Sequence, residues 1–402
     1  FWGVPFVPAT PGKSAVDLFK SLKTGEIKAV WIACTNPAQS LPNQAAVREA
    51  LQCADYVVLQ EAYANTDTAD YADLLLPATG WGEKYGTVTN SERCISRVMP
   101  AIAAPGEARH DWQIVVDFAR ALGKKLDHAA AERLFPYGDA EAIFNEHRAS
   151  TRGRDLDISG LSYALLERDG PQQWPYPEGA TSGKVRLYED AVFPTADGKA
   201  RFVAIEHLPT ADTISSAAPI RLISGCMRDH WHGMSRTGTV PRLFNLEDEP
   251  LLAMHPCDMR HRSLDSGDLV RVSNARGEMN VRVAERPGLQ KGRAWMPMHW
   301  GSQFMNSPGA NAVASDAIDP YSKQPELKHA AVQITKLDLP YPLAIIRRCP
   351  DQESALELMQ RARAALPRFA YATLNLYGRS SPLVVFRASS AEAVAADLLQ
   401  EM

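Results

Sequence analysis

The chain has 402 residues, 45% of them hydrophobic, and 43 Lys and Arg against 47 Asp and Glu give a formal net charge of −4. That length exceeds one ordinary core and implies two to four domains. Near-neutral charge with dispersed Lys and Arg excludes nucleic acid as a partner. No stretch reaches the roughly eighteen consecutive apolar residues of a membrane span, so no membrane partner is expected.

The opening FWGVPFVPATPG has no basic stretch before a short apolar core, so it does not read as a secretory signal. It begins without methionine and reads as cut from something longer. The six cysteines, Cys34, Cys53, Cys94, Cys226, Cys257 and Cys349, stand far apart without a CxxC pair. Neither a zinc site nor a Cys-ligated iron–sulfur cluster is encoded by that spacing. Few cysteines in a long chain suit a reducing compartment, and a cytoplasmic location is expected.

In chain order, KAVWIA (28–33) predicts a strand, QAAVREALQCA (44–54) a helix, YVVLQE (56–61) a strand and DLLLPA (73–78) another. Alternating elements with nearly all-apolar strands imply a parallel sheet covered on both faces. Ligands on such sheets bind beyond the carboxyl ends of the strands, which singles out residues 34–43, 60–68 and 79–93. A helix over 111–125 follows, with Asp111 as its N-cap candidate and its close near Gly123. Residues 126–217 are polar and rich in turn signals, as in GPQQWPYPEG and FPTADGKARF, and predict a meander of loops and short strands.

From Pro219 to about Leu337 the pattern is β. PIRLIS, LVRVSN (269–274), ARGEMNVRVAER (275–286) and GRAWMPMHW (292–300) are short strands, with a turn cluster over 255–268, as a small barrel requires. Gly267–Asp268 and Arg276–Gly277 supply tight turns. The tail alternates β and α again through PLAIIRR, ESALELMQRARAAL, FAYATLNLYG, PLVVFRA and AEAVAADLLQEM, suggesting a small appended α+β module.

Several side chains carry chemistry beyond what a connection needs. Asn36 in CTNPAQSLPN can both donate and accept, and it is either a ligand contact or an ordinary turn residue. Gln60 and Glu61 end the second strand where dinucleotide folds hold a ribose hydroxyl, although no GxGxxG precedes them; a solvated strand end is the other reading. In GWGEKYGTVTNSERC (80–94), Lys84 can give a phosphate a point charge, or belong to a solvated charge run. Asp111 is either a helix cap or a bidentate acceptor for a base edge such as that of guanine.

The densest stretch is SGCMRDHWHG (224–233). Cys226, His230 and His232 could be offered to a metal, but no fourth ligand stands at a recognisable spacing and Arg228 repels a cation. A buried turn with satisfied polar tips is possible. The reading that uses most residues is a cofactor cradle, in which Ser224 donates, Gly225 and Gly233 permit close approach, and Arg228, Arg236 and Thr237 grip a pyrophosphate.

With these residues assembled, the chain resembles the molybdopterin oxidoreductases that carry two molybdopterin guanine dinucleotides, most of all bacterial assimilatory nitrate reductases. The resemblance rests on TNPAQSLPN, ADYADLLLPATGWGEKYGTVTNSER, APGEARHDW, GPQQWP, SGCMRDHWHGMSRTG, PMHWG and DAIDPYSKQPELK, in family order over residues 1 to about 337. It implies dinucleotide contacts at Asn36, Gln60, Glu61, Lys84 and Asp111, along Ser224, Gly225, Cys226, Met227, Arg228, Asp229, His230, Trp231, His232 and Gly233, and at Arg236 and Thr237. Asn311 and Lys328 join that set through the resemblance alone, as do Met298 and His299 at the edge of a substrate funnel, where packing at a strand end is the plainer reading. Cys226 stands where family members commonly have arginine.

The resemblance further implies a Rossmann-like parallel α/β domain (1–125), an irregular connecting region (126–217), a double-psi β-barrel (218–338) and the α+β tail (339–402). It implies a molybdenum bis-molybdopterin guanine dinucleotide cofactor, nitrate as substrate, and ferredoxin, flavodoxin or an NADH-linked reductase subunit as electron donor. The four-cysteine motif of a 4Fe–4S cluster and the molybdenum-ligating residue, which the family carries in an N-terminal half, have no counterpart here. The chain therefore reads as the C-terminal half, with no catalytic or metal-ligating residue of its own and inactive alone. A formate dehydrogenase of the same superfamily, a non-catalytic electron-transfer subunit with the same fold and a lone nucleotide-binding module are the alternatives.

Overall fold

The structure, a computed structural model, describes residues 1–394 apart from Ala129, Leu246 and Arg379. The chain divides into two compact units, a smaller one of Phe1–Pro11 and Leu76–His207 and a larger one of Gly12–Leu75 and Leu208–Met402. The segment expected as a first domain, 1–125, is thus distributed over both.

The larger unit opens with α1 (Ala15–Lys23), which Ser14 caps by accepting the Asp17 amide. Then come β1 (Ala29–Ala33), the short helix α2 (Pro37–Ser40), α3 (Gln44–Cys53), β2 (Tyr56–Glu61) and the first two residues of β3 (Leu74–Pro77), at which the division between the units falls. β1 and β2 pair in parallel, Ala29 opposite Tyr56 and Ala33 opposite Gln60, with β3 on the far side of β2. Phe19 and Leu22 of α1 with Val47, Ala50 and Leu51 of α3 pack on Ile32, Val57 and Leu59. Cover on both faces was the expectation; it is met on this side, while Tyr56, Leu74 and Leu75 stand exposed.

The smaller unit carries the antiparallel pair β4 (Gly86–Thr89) and β5 (Cys94–Val98), then α4 (Asp111–Lys125), α5 (Ala131–Leu134), α6 (Ala140–Ser150), α7 (Tyr163–Asp169) and the two-residue β6 (Gln172–Gln173). His110, not Asp111, caps α4, and Gln113 accepts the His110 amide in return. Gly123 lies inside this helix: a Cβ there would come 2.0 Å from the Ala131 Cβ, so the residue permits the approach of α5 instead of ending the helix. The meander expected over 126–217 is helical in its first part. Asp139 and Ser162 cap α6 and α7, and Phe144, Tyr163 and Leu166 bury against Ile95. From 174 to 219 the described residues form neither helix nor strand.

The larger unit resumes with β7 (Ile220–Gly225), β8 (Leu251–Met254), α8 (Pro256–Arg260), β9 (Leu269–Asn274), β10 (Gly277–Glu285), β11 (Arg293–Pro297) and β12 (Ala330–Lys336). The six strands close into a barrel in the order β10-β8-β11-β7-β12-β9, with β10–β8 and β11–β7 parallel and the other pairs antiparallel. Leu222, Leu252, Val270, Val272, Val281, Met296 and Val332 fill it, each such side chain contributing roughly 1.5–3 kcal/mol over an exposed one. The sequence left β8 and β12 unassigned, and where it placed only turns α8 forms, capped by the His255 ring accepting the Cys257 amide.

The tail forms β13 (Tyr341–Arg348), α9 (Gln352–Arg363), β14 (Tyr371–Tyr377) and β15 (Leu383–Ser390), an antiparallel sheet in the order β13-β15-β14. Its Ala355, Met359, Leu374, Leu376 and Phe386 belong to the same continuous core as the barrel residues, so it is built onto the barrel instead of standing apart. Of the helix expected over 391–402, residues 395–402 lie outside the described residues.

Candidate cofactor cradle

Two connections of the larger unit meet: the loop and short helix after β1, and the loop after β7. In the first, the Asn36 side chain is spent within the protein. Its Oδ1 accepts the Thr68 amide at 3.0 Å and hydroxyl at 2.7 Å, and its Nδ2 donates to Gln39 Oε1 at 3.1 Å. Gln39 then reaches the barrel, its Nε2 donating to the His299 carbonyl at 2.8 Å while its own carbonyl accepts from Asn311 Nδ2 at 2.8 Å. Asp67, fully buried, accepts from the Ser302 amide at 3.0 Å and from Arg48 at 3.3 Å. Such charge-assisted bonds in a dry place fix the joint.

Gln39 explains two glycines. A Cβ on Gly233 would fall 1.9 Å from Gln39 Oε1 and one on Gly301 2.7 Å from its Nε2, so the amide occupies the space those glycines leave. Sequence reasoning marked Gly233 for close approach to a ligand, whereas the group that comes close is Gln39. Gln39, Asp67 and Thr68 lie in the marked segments 34–43 and 60–68 without being singled out, and Arg48 lies outside them; the bonds of Gln39 to His299 and of Asp67 to Ser302 span hundreds of residues, and nothing local announces them.

The loop after β7 has a buried side and an open side. On the buried side Ser224 donates to the Leu327 carbonyl at 2.9 Å, and Gly225 accepts the Met298 amide at 2.9 Å. His230 is buried among Phe244, Trp300 and His299, its Nδ1 3.3 Å from Thr237 Oγ1, which also accepts the Trp231 amide. Burial first, and His299 second, push the His230 imidazole down to about 4. His299 takes the plainer of its two expected places, packed after a strand end: it is fully buried under the loop. Its Nε2 accepts the Met227 amide at 2.8 Å and its Nδ1 lies 2.7 Å from the His232 carbonyl. Burial lowers its pKa as well, with the Lys328 charge adding to the effect.

On the open side, the Arg228 side chain is 78% exposed and paired with Asp229 at 2.7 Å, and Trp231 is 56% exposed with the Arg236 guanidinium 6.0 Å from its ring centre. Cys226 lies 3.6 Å from the Met298 sulfur, and Lys328 Nζ stands 3.3 Å from that same sulfur. Among the described residues neither Lys328 nor Arg236 has a carboxylate within 4.0 Å. Unneutralised cations on and beside a loop that also exposes an indole are the donor set that an anionic, ring-bearing ligand requires. The set fits the pyrophosphate of a dinucleotide. Among the described residues no group of three or more His, Cys, Asp and Glu is placed to hold a metal ion, and no helix is long and apolar enough to cross a membrane.

The remaining sites behave differently. Gln60 is buried at the end of β2, and Glu61 accepts its neighbour Ala62's amide at 2.7 Å. Lys84 and Asp111 belong to the smaller unit and pair with each other at 2.5 Å, both about a third exposed. There, too, Asn90 holds a turn by accepting the Glu92 and Cys94 amides, and Arg93 donates to the Trp174 carbonyl.

The family described as molybdopterin oxidoreductase matches residues 6–121, and that described as the molydopterin dinucleotide binding domain matches 220–331. The nitrate reductase of Klebsiella oxytoca is 39% identical over 83% of this chain and 38% of its own length. The assimilatory nitrate reductase catalytic subunit of Bacillus subtilis is 34% identical over 80% and 44%. The alpha subunit of the F420-dependent formate dehydrogenase of Methanocaldococcus jannaschii is 33% identical over 77% and 43%. In fold, the chain is similar to acetylene hydratase from Pelobacter acetylenicus, with a TM-score of 0.57, 19% identity, and 79% of this chain and 46% of that one covered. The chain spans less than half the length of these relatives.

Proposed function

The chain belongs to the molybdopterin oxidoreductase family, and on that premise we propose that it is the C-terminal half of an assimilatory nitrate reductase, binding a molybdenum bis-molybdopterin guanine dinucleotide. The observation that carries the reading is the meeting of the β1 and β7 loops at Gln39 and His299, with Lys328 and Arg236 left unneutralised beside them. The cofactor would supply the two-electron chemistry by which nitrate, two electrons and two protons become nitrite and water. What this chain's residues do is bind and orient. Lys328, Arg236 and Arg228 meet the pyrophosphate charge, Trp231 offers a face to a ring, and Gln39 with Asp67 keeps the two loops in register.

In this reading a 4Fe–4S cluster and the protein ligand of the metal lie outside these 402 residues, and electrons come from ferredoxin, flavodoxin or an NADH-linked subunit. The double-psi description of the barrel is part of the same proposal, supported by its closed six-strand order. Similarity to a formate dehydrogenase subunit supports a second reading, in which formate is the substrate.

The test is equilibrium binding of GDP, half of such a dinucleotide, to the 402-residue chain. Binding in the micromolar range that loosens roughly tenfold in Lys328→Ala, the loss of one charge-assisted contact, supports the cradle. No measurable binding, or no change in Lys328→Ala, sinks it. The chain alone is expected to reduce neither nitrate nor formate.

A further inference from the structure

His299 sits beneath the loop after β7 and touches it at both ends. The Met227 amide can only donate, so the ring nitrogen 2.8 Å from it, Nε2, must carry a lone pair. The His232 carbonyl can only accept, so the nitrogen 2.7 Å from it, Nδ1, must carry the proton. One protonation state satisfies both contacts: the neutral imidazole with its proton on Nδ1. A second proton would go on Nε2 and face the Met227 N–H, and that bond would be lost. His299's own carbonyl receives the Gln39 amide, so the same residue also ties the loop to the segment after β1.

The titratable and charged groups around it favour the neutral state. His230 lies with its ring centre 5.8 Å away, His232 faces it through its backbone, and Lys328 brings a positive charge. Asp67, from the turn after β2, and Arg48, from α3, are already paired with each other. No atom of His299 is exposed, so it has no surface to offer a substrate.

We propose that His299 is a positioning residue: as a neutral Nδ1–H imidazole it clips the two ends of the 227–232 segment and holds the cradle in its binding shape, and acid releases the clip. The ligand side of this rests on the reading of the loop as a dinucleotide cradle; the clip does not. The burial that lowers its pKa sets the sense of the response. Neutral His299 is fully favoured above the ordinary histidine value of about 6.5, and the hold is lost as pH falls toward the lowered value in the folded chain.

Two measurements on the 402-residue chain decide it. With ¹⁵N-labelled histidine, His299 should show a protonated Nδ1 and bare Nε2 at pH 7.5, stay neutral below pH 6.5, and shift the Met227 amide when it finally titrates. A proton on Nε2 at pH 7.5, or an ordinary titration that leaves the Met227 amide unmoved, overturns the proposal. In GDP binding, His299→Leu should lose roughly tenfold or more at every pH. His299→Gln, which can present the same acceptor and donor, should bind like the parent at pH 7.5 but lack its extra loss of affinity toward pH 5. Comparing parent and Gln variant removes the titration of GDP itself. If the two profiles coincide, the acid release is refuted. If the parent binds no GDP at any pH, the cradle reading fails while the histidine spectra still decide the clip.

Discussion

The two loops that meet in the larger unit are opposite kinds of binding element. After β1, the polar side chains point into the protein: Asn36 is held by Thr68 and Gln39, and beside it Asp67, from the turn after β2, is held by Ser302 and Arg48. After β7, Arg228 and Trp231 face outward, joined by Lys328 from the segment before β12, while the backbone is held from below by His230, Thr237 and His299. One loop is frame and the other surface, although both are rich in hydrogen-bonding side chains. The lesson is that a ligand-rich composition marks where a site is, not which side chains meet the ligand.

Breaking the frame should have the largest effect. Asp67→Ala strands Arg48 and the Ser302 amide in a dry joint, and a cost of about 3–5 kcal/mol is expected in urea unfolding; a loss under about 1 kcal/mol would mean the joint is not where the loops are held. Gly233→Ala forces a methyl group onto the Gln39 amide, and overpacking of this kind costs about 1–3 kcal/mol. Its GDP affinity should fall along with its stability, whereas a change confined to one of the two would separate frame from surface.

The pH dependence gives a finer test of the buried side. Because burial holds the His230 imidazole neutral, with a value of about 4, its contribution to stability is whole above about 6.5 and declines as pH falls toward about 4. His230→Phe should therefore flatten the unfolding free energy over that window; an unchanged slope would remove His230 from the account. Smallest in stability is Arg228→Ala on the open side. As an exposed substitution it should move the unfolding free energy by less than about 0.5 kcal/mol, yet GDP should bind severalfold more weakly. A large stability change there would erase the distinction between the loops.

Much of this was legible along the chain. The apolar strands β1 and β2, the barrel strands β9 and β10 and the alternation in the tail follow from local pattern, which nearest neighbours in sequence set. The density of 224–233 was legible for the same reason. β8 was missed because four apolar residues, LLAM, fit strand and helix alike. β12 was missed because AAVQITK opens on two alanines, which favour helix over strand. Helices α6 and α7 were hidden by the polar composition around their caps. Gln39 and Asp67 fell in marked segments, but their roles were not legible, since a glutamine and an aspartate in a loop look the same whether they face solvent or another loop.

By itself, then, the sequence determined most of the sheet and barrel strands, the family resemblance and the stretch where chemistry concentrates, because periodicity, turn residues and composition act over a few neighbouring positions. Only the tertiary structure decided that Lys84 is paired with Asp111, that Gly233 makes room for Gln39, and that His299 is a buried clip with a single allowed tautomer. Those outcomes depend on partners brought together across long separations, and a hydrogen-bonding group's role is fixed by the partner it finds once water has been excluded.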